Sequence, residues 1–123
     1  YNEYLDLKEF LINIINILVI NLALIKLCSV SEIEPGNMKM FEYKNTKILL
    51  INLNDKYFAL SGICTHEYAE LDKGFLIGDS IKCPLHLSEF DIQSGQVQTP
   101  PATESLKKYN IKIIDSFINI ECV

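Results

Sequence analysis

Two short cysteine–histidine couples contain the side chains of this chain that are best suited to binding a metal. The first is Cys64-Thr-His66, and the second, Cys83-Pro-Leu-His86, follows after sixteen intervening residues. Together they hold both histidines of the chain and two of its four cysteines. Thiolate and neutral imidazole are ligands of soft and borderline metals. Cys64, His66, Cys83 and His86 are therefore the predicted ligands of a Cys₂His₂ metal centre.

Each couple contains one cysteine and one histidine, and this arrangement helps to distinguish a single zinc ion from a two-iron cluster. A finger-type zinc site usually takes two cysteines from one arm and two histidines from the other. Here each arm supplies one of each. That arrangement suits a two-iron cluster with both thiolates on one iron and both imidazoles on the other. We therefore expect an iron–sulfur cluster, with structural zinc and a chance proximity without metal as the alternatives.

The residues around the couples resemble a known family. The two couples are similar to the ligand boxes of Rieske [2Fe–2S] domains, and residues 71–83 resemble the segment that links the boxes in Rieske-type ferredoxins. Three downstream groups resemble that family's turn and proline loop: Phe90-Asp91, Ser94-Gly95 and Pro100-Pro101-Ala102. The resemblance covers about residues 26–123, which we expect to form one Rieske domain.

The resemblance implies a fold, a cofactor and a function. The fold is all-β, with antiparallel sheets and a cluster-binding subdomain inserted at about 62–101, plus an extra N-terminal helix. The cofactor is one [2Fe–2S] cluster per chain on the four predicted ligands. The protein is then not itself an enzyme but a one-electron carrier from a reductase to a terminal oxygenase or similar redox enzyme. Two alternatives stay open, a small Rieske subunit of a larger oxidoreductase of the nitrite-reductase type and a structural zinc module.

Several positions differ from the residues that respiratory and high-potential Rieske proteins place there. Respiratory Rieske proteins add two cysteines that form a disulfide between the cluster loops, and the matching positions here are Ala69 and Leu85. Ser88 stands where high-potential members place a hydroxyl beside the cluster, whereas Phe90 replaces their tyrosine. Because hydrogen bonds to the sulfurs raise the potential, we expect a low to intermediate potential. Leu87 replaces the glycine that usually follows the second histidine.

Composition narrows the function classes. The 123 residues are enough for one domain, and the net charge of −5 argues against nucleic acid, which requires a basic surface. We expect Cys28 and Cys122 to be buried thiols rather than a disulfide. We also expect the protein to be cytoplasmic. Three acidic residues between the couples, Glu67, Glu70 and Asp72, are predicted to lie on a solvated loop.

Residues 1–25 are predicted to form an apolar helical extension. The run Phe10–Leu27 is nearly continuous in apolar residues, and as a helix its 18 residues would be about 27 Å long, near the thickness of a bilayer core. The run is interrupted by Asn13, Asn16, Asn21 and Lys26. Buried amides are costly in lipid. A membrane anchor, a helix that docks on the domain or a partner, and an incidental extension are the interpretations that remain.

Short apolar segments separated by turn residues follow. They predict strands at 27–30, 38–43, 46–53, 57–61, 75–76, 80–82, 90–91, 96–98, 109–115 and 117–121. Many short strands with frequent turns are typical of a β-sandwich or barrel. This pattern agrees with the all-β fold that the resemblance implies.

Overall fold

The structure, a computed structural model, describes the backbone of residues 2–22 and 24–121 and the side chains of 6–18 and 24–121. One helix, α1 (Asn2–Leu22), precedes ten strands. These are β1 (Leu24–Ser29), β2 (Met38–Tyr43), β3 (Thr46–Leu53), β4 (Lys56–Ser61), β5 (Phe75–Ile77), β6 (Ser80–Lys82), β7 (Glu89–Asp91), β8 (Lys108–Tyr109), β9 (Ile111–Ile114) and β10 (Phe117–Glu121). Cys122 lies outside the described residues, so its predicted burial stays a prediction.

The strands form three antiparallel sheets, which confirms the predicted all-β class. The first has the order β1-β10-β9, the second β2-β3-β4-β8 and the third β5-β6-β7. The third sheet lies between the two cysteine–histidine couples in sequence and continues beyond the second. It therefore belongs to the part of the chain that carries the predicted ligands.

Strand β3 lies at the centre of the molecule because both of its faces are buried. Neighbouring side chains of a strand point to opposite faces. Ile48 and Leu50 pack in a core with the first sheet, whereas Leu49 and Ile51 pack in a second core that also contains the two cysteines of the couples. A continuous apolar run such as 48–51 is typical of a strand covered on both sides. This double burial connects the sheet that supports the fold with the sheet that carries the site.

Several predicted strands differ from the observed ones: β4, β5 and β7 are each one residue longer than predicted, and two differences are larger. The first strand begins at Leu24 rather than residue 27, since Leu24 and Ile25 pair with β10. It ends at Ser29, where the Glu32 carboxylate accepts a hydrogen bond from the Ser29 N–H at 2.8 Å and a 3₁₀ turn starts. The predicted strand 109–115 is divided at Asn110 into β8 and β9, which join different sheets.

The strand predicted at 96–98 is wrong. Val97 makes a single bridge to Phe90, flanked by two backbone hydrogen bonds to β7, and its own N–H donates to the Ser105 hydroxyl at 3.1 Å. The pairing does not extend beyond this bridge. The preceding Gly95 has a φ of +79°, which turns the chain out of an extended conformation. The segment is therefore a loop beside β7.

Helix α1 is a single continuous helix whose described side chains face solvent. All side chains from Asp6 to Leu18 are exposed, including eight large apolar ones: Leu7, Phe10, Leu11, Ile12, Ile14, Ile15, Ile17 and Leu18. Residues 6–18 of the helix therefore do not dock on the sheets of their own domain, and the interpretation that the helix docks on a partner stays a prediction. No helix in the described part of the chain combines the length and apolar character needed to cross a bilayer.

Candidate metal centre

The first couple lies on a closed loop between β4 and β5, which we call loop 1 (residues 62–71). The ends of loop 1 meet, because the Leu71 N–H donates to the Gly62 carbonyl at 2.8 Å. Within it, the Cys64 N–H donates to the Ala69 carbonyl at 2.8 Å. These bonds turn the chain tightly around Cys64 and His66 and direct both toward the same end of the molecule.

The second couple lies on a similar turn between β6 and β7, which we call loop 2 (residues 83–88). The Cys83 N–H donates to the Ser88 carbonyl at 2.8 Å, and the Leu87 N–H donates to the Cys83 carbonyl at 3.2 Å. In loop 1 the Tyr68 N–H donates to the Cys64 carbonyl in the same way, at 3.1 Å. Each cysteine is thus the first residue of a turn with the same hydrogen-bonding pattern.

This pattern requires a left-handed residue in each loop. Tyr68 has a φ of +57° and Leu87 a φ of +64°, a region that costs a non-glycine residue about 1–2 kcal/mol. The glycine that relatives place at the position of Leu87 would adopt this conformation without strain. Leu87 therefore occupies a position where the backbone conformation favours glycine.

We expect Leu87→Gly to raise the free energy of unfolding by about 0.5–1 kcal/mol, because relief of the left-handed strain exceeds the added freedom of the unfolded chain. The Leu87 side chain is 52% exposed, so little packing is lost. Urea unfolding of the two proteins measures the difference. Leu85→Gly is the control at an exposed position outside the positive-φ region, and a gain of equal size there would contradict the argument.

The two thiols lie together in the interior. Cys64 and Cys83 are 1% and 2% exposed, both are free thiols, and they pack with Leu71, Ile81 and Phe90. Burial raises the pKa of the Cys64 thiol; the backbone N–H of His66 acts in the opposite direction, and the neighbouring Cys83 thiol raises the pKa further. A thiolate at this position therefore needs a positive partner, which a bound metal would supply.

The two imidazoles lie together toward solvent. The centroids of the His66 and His86 rings are 5.3 Å apart with an interplanar angle of 78°. Their side chains are 33% and 48% exposed, in contrast to the buried thiols. The structure thus brings the four predicted ligands to one end of the domain as a buried sulfur pair and an exposed nitrogen pair.

This pairing suits a unit of two metal atoms better than a single ion. Among the described residues, the one group of three potential donors within 4.8 Å of one another consists of His66, Glu67 and His86. Neither cysteine belongs to that group. A tetrahedral zinc ion needs all four ligands around one centre, whereas a two-iron cluster takes the cysteines on one iron and the histidines on the other. The donor set therefore fits a [2Fe–2S] cluster.

A third loop (residues 99–106, called loop 3) supports both ligand loops. The Ala102 N–H donates to the buried Ser88 hydroxyl at 3.0 Å, next to loop 2. The Thr65 hydroxyl of loop 1 donates to the Glu104 carbonyl at 2.7 Å. The proline-containing segment predicted from the sequence thus lies beside the site and is bonded to each couple's loop.

The acidic residues Glu67 and Glu70 between the couples are partly exposed, as a solvated loop requires, and each also contacts a basic side chain. Glu67 lies against both imidazoles, with carboxylate oxygens 3.5 Å from His66 Nε2 and 3.8 Å from His86 Nδ1. Glu70 forms an ion pair with Lys47 of β3 rather than standing free in solvent. The Lys47 ammonium lowers the pKa of Glu70, and the Glu70 carboxylate raises that of Lys47. Their separation of 23 residues offers no local signal for this contact.

Comparison with known proteins supports the same family. A sequence model of the Rieske [2Fe-2S] domain matches residues 23–110. The biphenyl dioxygenase ferredoxin subunit of Pseudomonas sp. (strain KKS102) is 37% identical over 89 residues, which are 72% of this chain and 82% of that protein. The solved structure of the Sphingomonas yanoikuyae B1 ferredoxin superposes with a TM-score of 0.75 at 28% identity, covering 79% of this chain and 96% of that one.

A structure entitled the complex of reduced oxygenase and oxidized ferredoxin in carbazole 1,9a-dioxygenase also matches, with a TM-score of 0.77 and 25% identity over 80% of this chain and 93% of that one. The chain therefore belongs to the Rieske [2Fe-2S] domain family. Within the family it is of the ferredoxin type, an electron-transfer protein rather than an enzyme. The family and the type both agree with the resemblance found in the sequence.

Proposed function

We propose that this ferredoxin holds one [2Fe–2S] cluster per chain through Cys64, Cys83, His66 and His86. It passes single electrons from a reductase to a terminal oxygenase or a similar redox enzyme. The observation that carries the proposal is the pair of exposed imidazoles next to a pair of buried thiols. Such a site keeps the sulfur ligands dry while its histidine side comes close to a docked partner.

The names of relatives support an oxygenase as acceptor. One relative is a subunit of a biphenyl dioxygenase, and one matching ferredoxin is in a complex with an oxygenase. The nitrite-reductase alternative rests on a structural match at 17% identity, which supports the shared fold alone. We also propose a cytoplasmic location, for which the three free cysteines of the described chain are consistent with a reducing compartment.

The sequence predicts an N-terminal extension (1–25) and a Rieske domain (26–123), and we further propose a cluster-binding subdomain at about 62–101 within that domain. Loops 1 and 2 and strands β5, β6 and β7 all fall within the last range, which supports it. Strand β1 places Leu24 and Ile25 with the sheets. We therefore infer that the extension ends nearer to the end of α1.

Metal analysis and pulsed EPR of the full chain test this function. We expect about two irons and two inorganic sulfides per chain and an EPR signal after reduction with dithionite. Because the chain contains only two histidines, protein labelled with ¹⁵N-histidine should show hyperfine coupling that can come only from His66 and His86. One zinc per chain without an EPR signal would contradict the proposal and leave a structural site.

We expect Ser88→Ala to lower the reduction potential by about 60 mV, which corresponds to a tenfold change in the equilibrium constant of a one-electron couple. The Ser88 hydroxyl is buried and accepts the Ala102 N–H, which leaves its own proton available. Hydroxyl donation to a cluster sulfur stabilises the reduced, more negative state. A spectroscopic redox titration measures the shift.

The matched control is Ser105→Ala, which removes a hydroxyl that accepts the Val97 N–H outside loops 1 and 2. Its potential should equal that of the unmodified protein. An unchanged potential in a Ser88→Ala protein with a full complement of iron would show that the hydroxyl does not tune the cluster.

A further inference from the structure

We propose that Lys47 is a positioning residue that closes the base of loop 1 and thereby controls how long the protein retains its cluster. This inference rests on the proposed function, because it concerns retention of the cluster bound by Cys64 and His66. Lys47 is the second residue of β3, the strand that is buried on both faces. It is therefore attached to the strand that contributes to both hydrophobic cores.

Lys47 holds loop 1 at both ends. Its backbone carbonyl accepts the Gly62 N–H at 2.9 Å, at the start of the loop. Its side-chain ammonium pairs with Glu70, next to the last residue of the loop. Since Ile63 and Glu70 also form a bridge across the base, one residue of the central strand contacts both strands of the loop stem.

The start of the loop packs closely on the sheet. A Cβ at Gly62 would lie 2.3 Å from the Met40 sulfur, at the flexible end of that side chain, and 3.3 Å from the Lys47 carbonyl carbon. The backbone hydrogen bond from Gly62 to Lys47 sets the position of this end of the loop, and the ion pair secures the other end.

The ion pair is accessible enough to be screened. The side chains of Lys47 and Glu70 are 36% and 35% exposed. Lys73 lies 4.0 Å from the second oxygen of Glu70, but it belongs to the same short 3₁₀ turn as the end of the loop. Lys73 therefore adds positive charge without linking the loop to the sheet, and the link to the sheet depends on Lys47.

The contact matters because half of the ligands are on this loop. Loop 1 carries Cys64 and His66, so opening of this loop would separate two of the four proposed ligands from the other two. Ala69 and Leu85 exclude the disulfide that braces the loops of respiratory relatives. Opening of a loop is a local event with its own free energy, separate from global unfolding. The Lys47–Glu70 pair opposes that opening.

The test compares the full-length proteins carrying Lys47→Met and Lys47→Arg. In Lys47→Met we expect the visible absorbance of the loaded protein to decay about threefold faster in the presence of a chelator. The amides of Cys64, Tyr68 and Leu71 should exchange with deuterium faster by a similar factor, in the loaded and the metal-free protein alike. Lys47→Arg keeps the charge and should retain the original rates.

Further variants and a change of salt concentration separate an electrostatic link between Lys47 and Glu70 from a packing effect. The reciprocal exchange Lys47→Glu with Glu70→Lys should restore most of the retention, and Lys73→Met should leave it unchanged. Sodium chloride at about 1 M should accelerate decay in the unmodified protein but not in Lys47→Met, because salt screens exposed pairs. Glu70→Gln should match Lys47→Met, and the double variant should be no faster than either.

Equal decay and equal amide exchange in Lys47→Met, Glu70→Gln and the unmodified protein would overturn the inference. If Lys47→Met does not load, Glu70→Gln gives the same comparison with the lysine stem in place. If the unmodified protein binds no iron–sulfur cluster, the proposed function fails instead. In that case, the amide exchange rates of the metal-free protein still show whether the Lys47–Glu70 pair keeps loop 1 closed.

Discussion

Substitution of Cys64 by serine should reduce the iron content from about two atoms per chain to nearly none. The side chain is 1% exposed and shares its core with Cys83. A serine oxygen is a hard donor that does not replace a thiolate on iron. It also leaves a hydroxyl in an apolar core, at a cost of about 1–3 kcal/mol when unpaired. Iron and sulfide assays with EPR of the reduced protein measure the result.

The control for this result is Cys28→Ser, the same change at another buried cysteine. Cys28 is 6% exposed and lies in the core on the opposite face of β3, with Ile118 and Ile120. It should lower stability to a similar degree while keeping the full iron content. Loss of iron in both variants would attribute the effect to stability rather than to ligation, and retention of iron in Cys64→Ser would exclude that cysteine as a ligand.

The second large effect is expected at Gly74, where alanine should lower the free energy of unfolding by about 3 kcal/mol. A Cβ at this position would lie 2.0 Å from the Lys82 carbonyl oxygen and 3.2 Å from that of Leu71. Both obstacles are backbone atoms, so no side-chain rotation relieves them. The substitution should separate β5 from β6 where they pair beside loop 2. Urea unfolding followed by circular dichroism measures the loss.

Gly36→Ala provides the comparison for this prediction. Gly36 has a φ of +84°, but a Cβ there would meet nothing within 4 Å. Its cost should be limited to left-handed strain of about 1–2 kcal/mol. A Gly74 variant that is no less stable than the Gly36 variant would show that the backbone around Lys82 can move away, contrary to the expectation.

The proposed ligand set stays a prediction, and its signal in the sequence is local. Each couple places a cysteine and a histidine within a few residues, so one turn can present both side chains whatever the rest of the chain does. The two couples contain both histidines of the chain, and the structure brings the two rings together. The strand β3 was predictable for a similar reason, since an uninterrupted apolar run requires cover on both faces. The all-β class was predictable from many short apolar segments of this kind, separated by turn residues.

The errors fall where pairing between distant segments decides the outcome. The segment 96–98 has a strand-like composition, but the turn at Gly95 limits its pairing with β7 to a single bridge. The division of 109–115 at Asn110 arises because its two halves pair with β4 and β10. Propensity describes the segment alone, whereas a ladder depends on the neighbouring strand.

The sequence alone therefore determined the all-β class and the family, and it proposed the four metal ligands, because residue type, spacing and apolar patterning are properties of short segments. The tertiary structure decided that the thiols are buried and the imidazoles exposed, that Glu67 lies against both rings, and that Lys47 reaches Glu70. Residues 23 positions apart become neighbours only through the stacking of loop 1 on β3. Contacts of this kind depend on the path of the whole chain, and no local pattern encodes them.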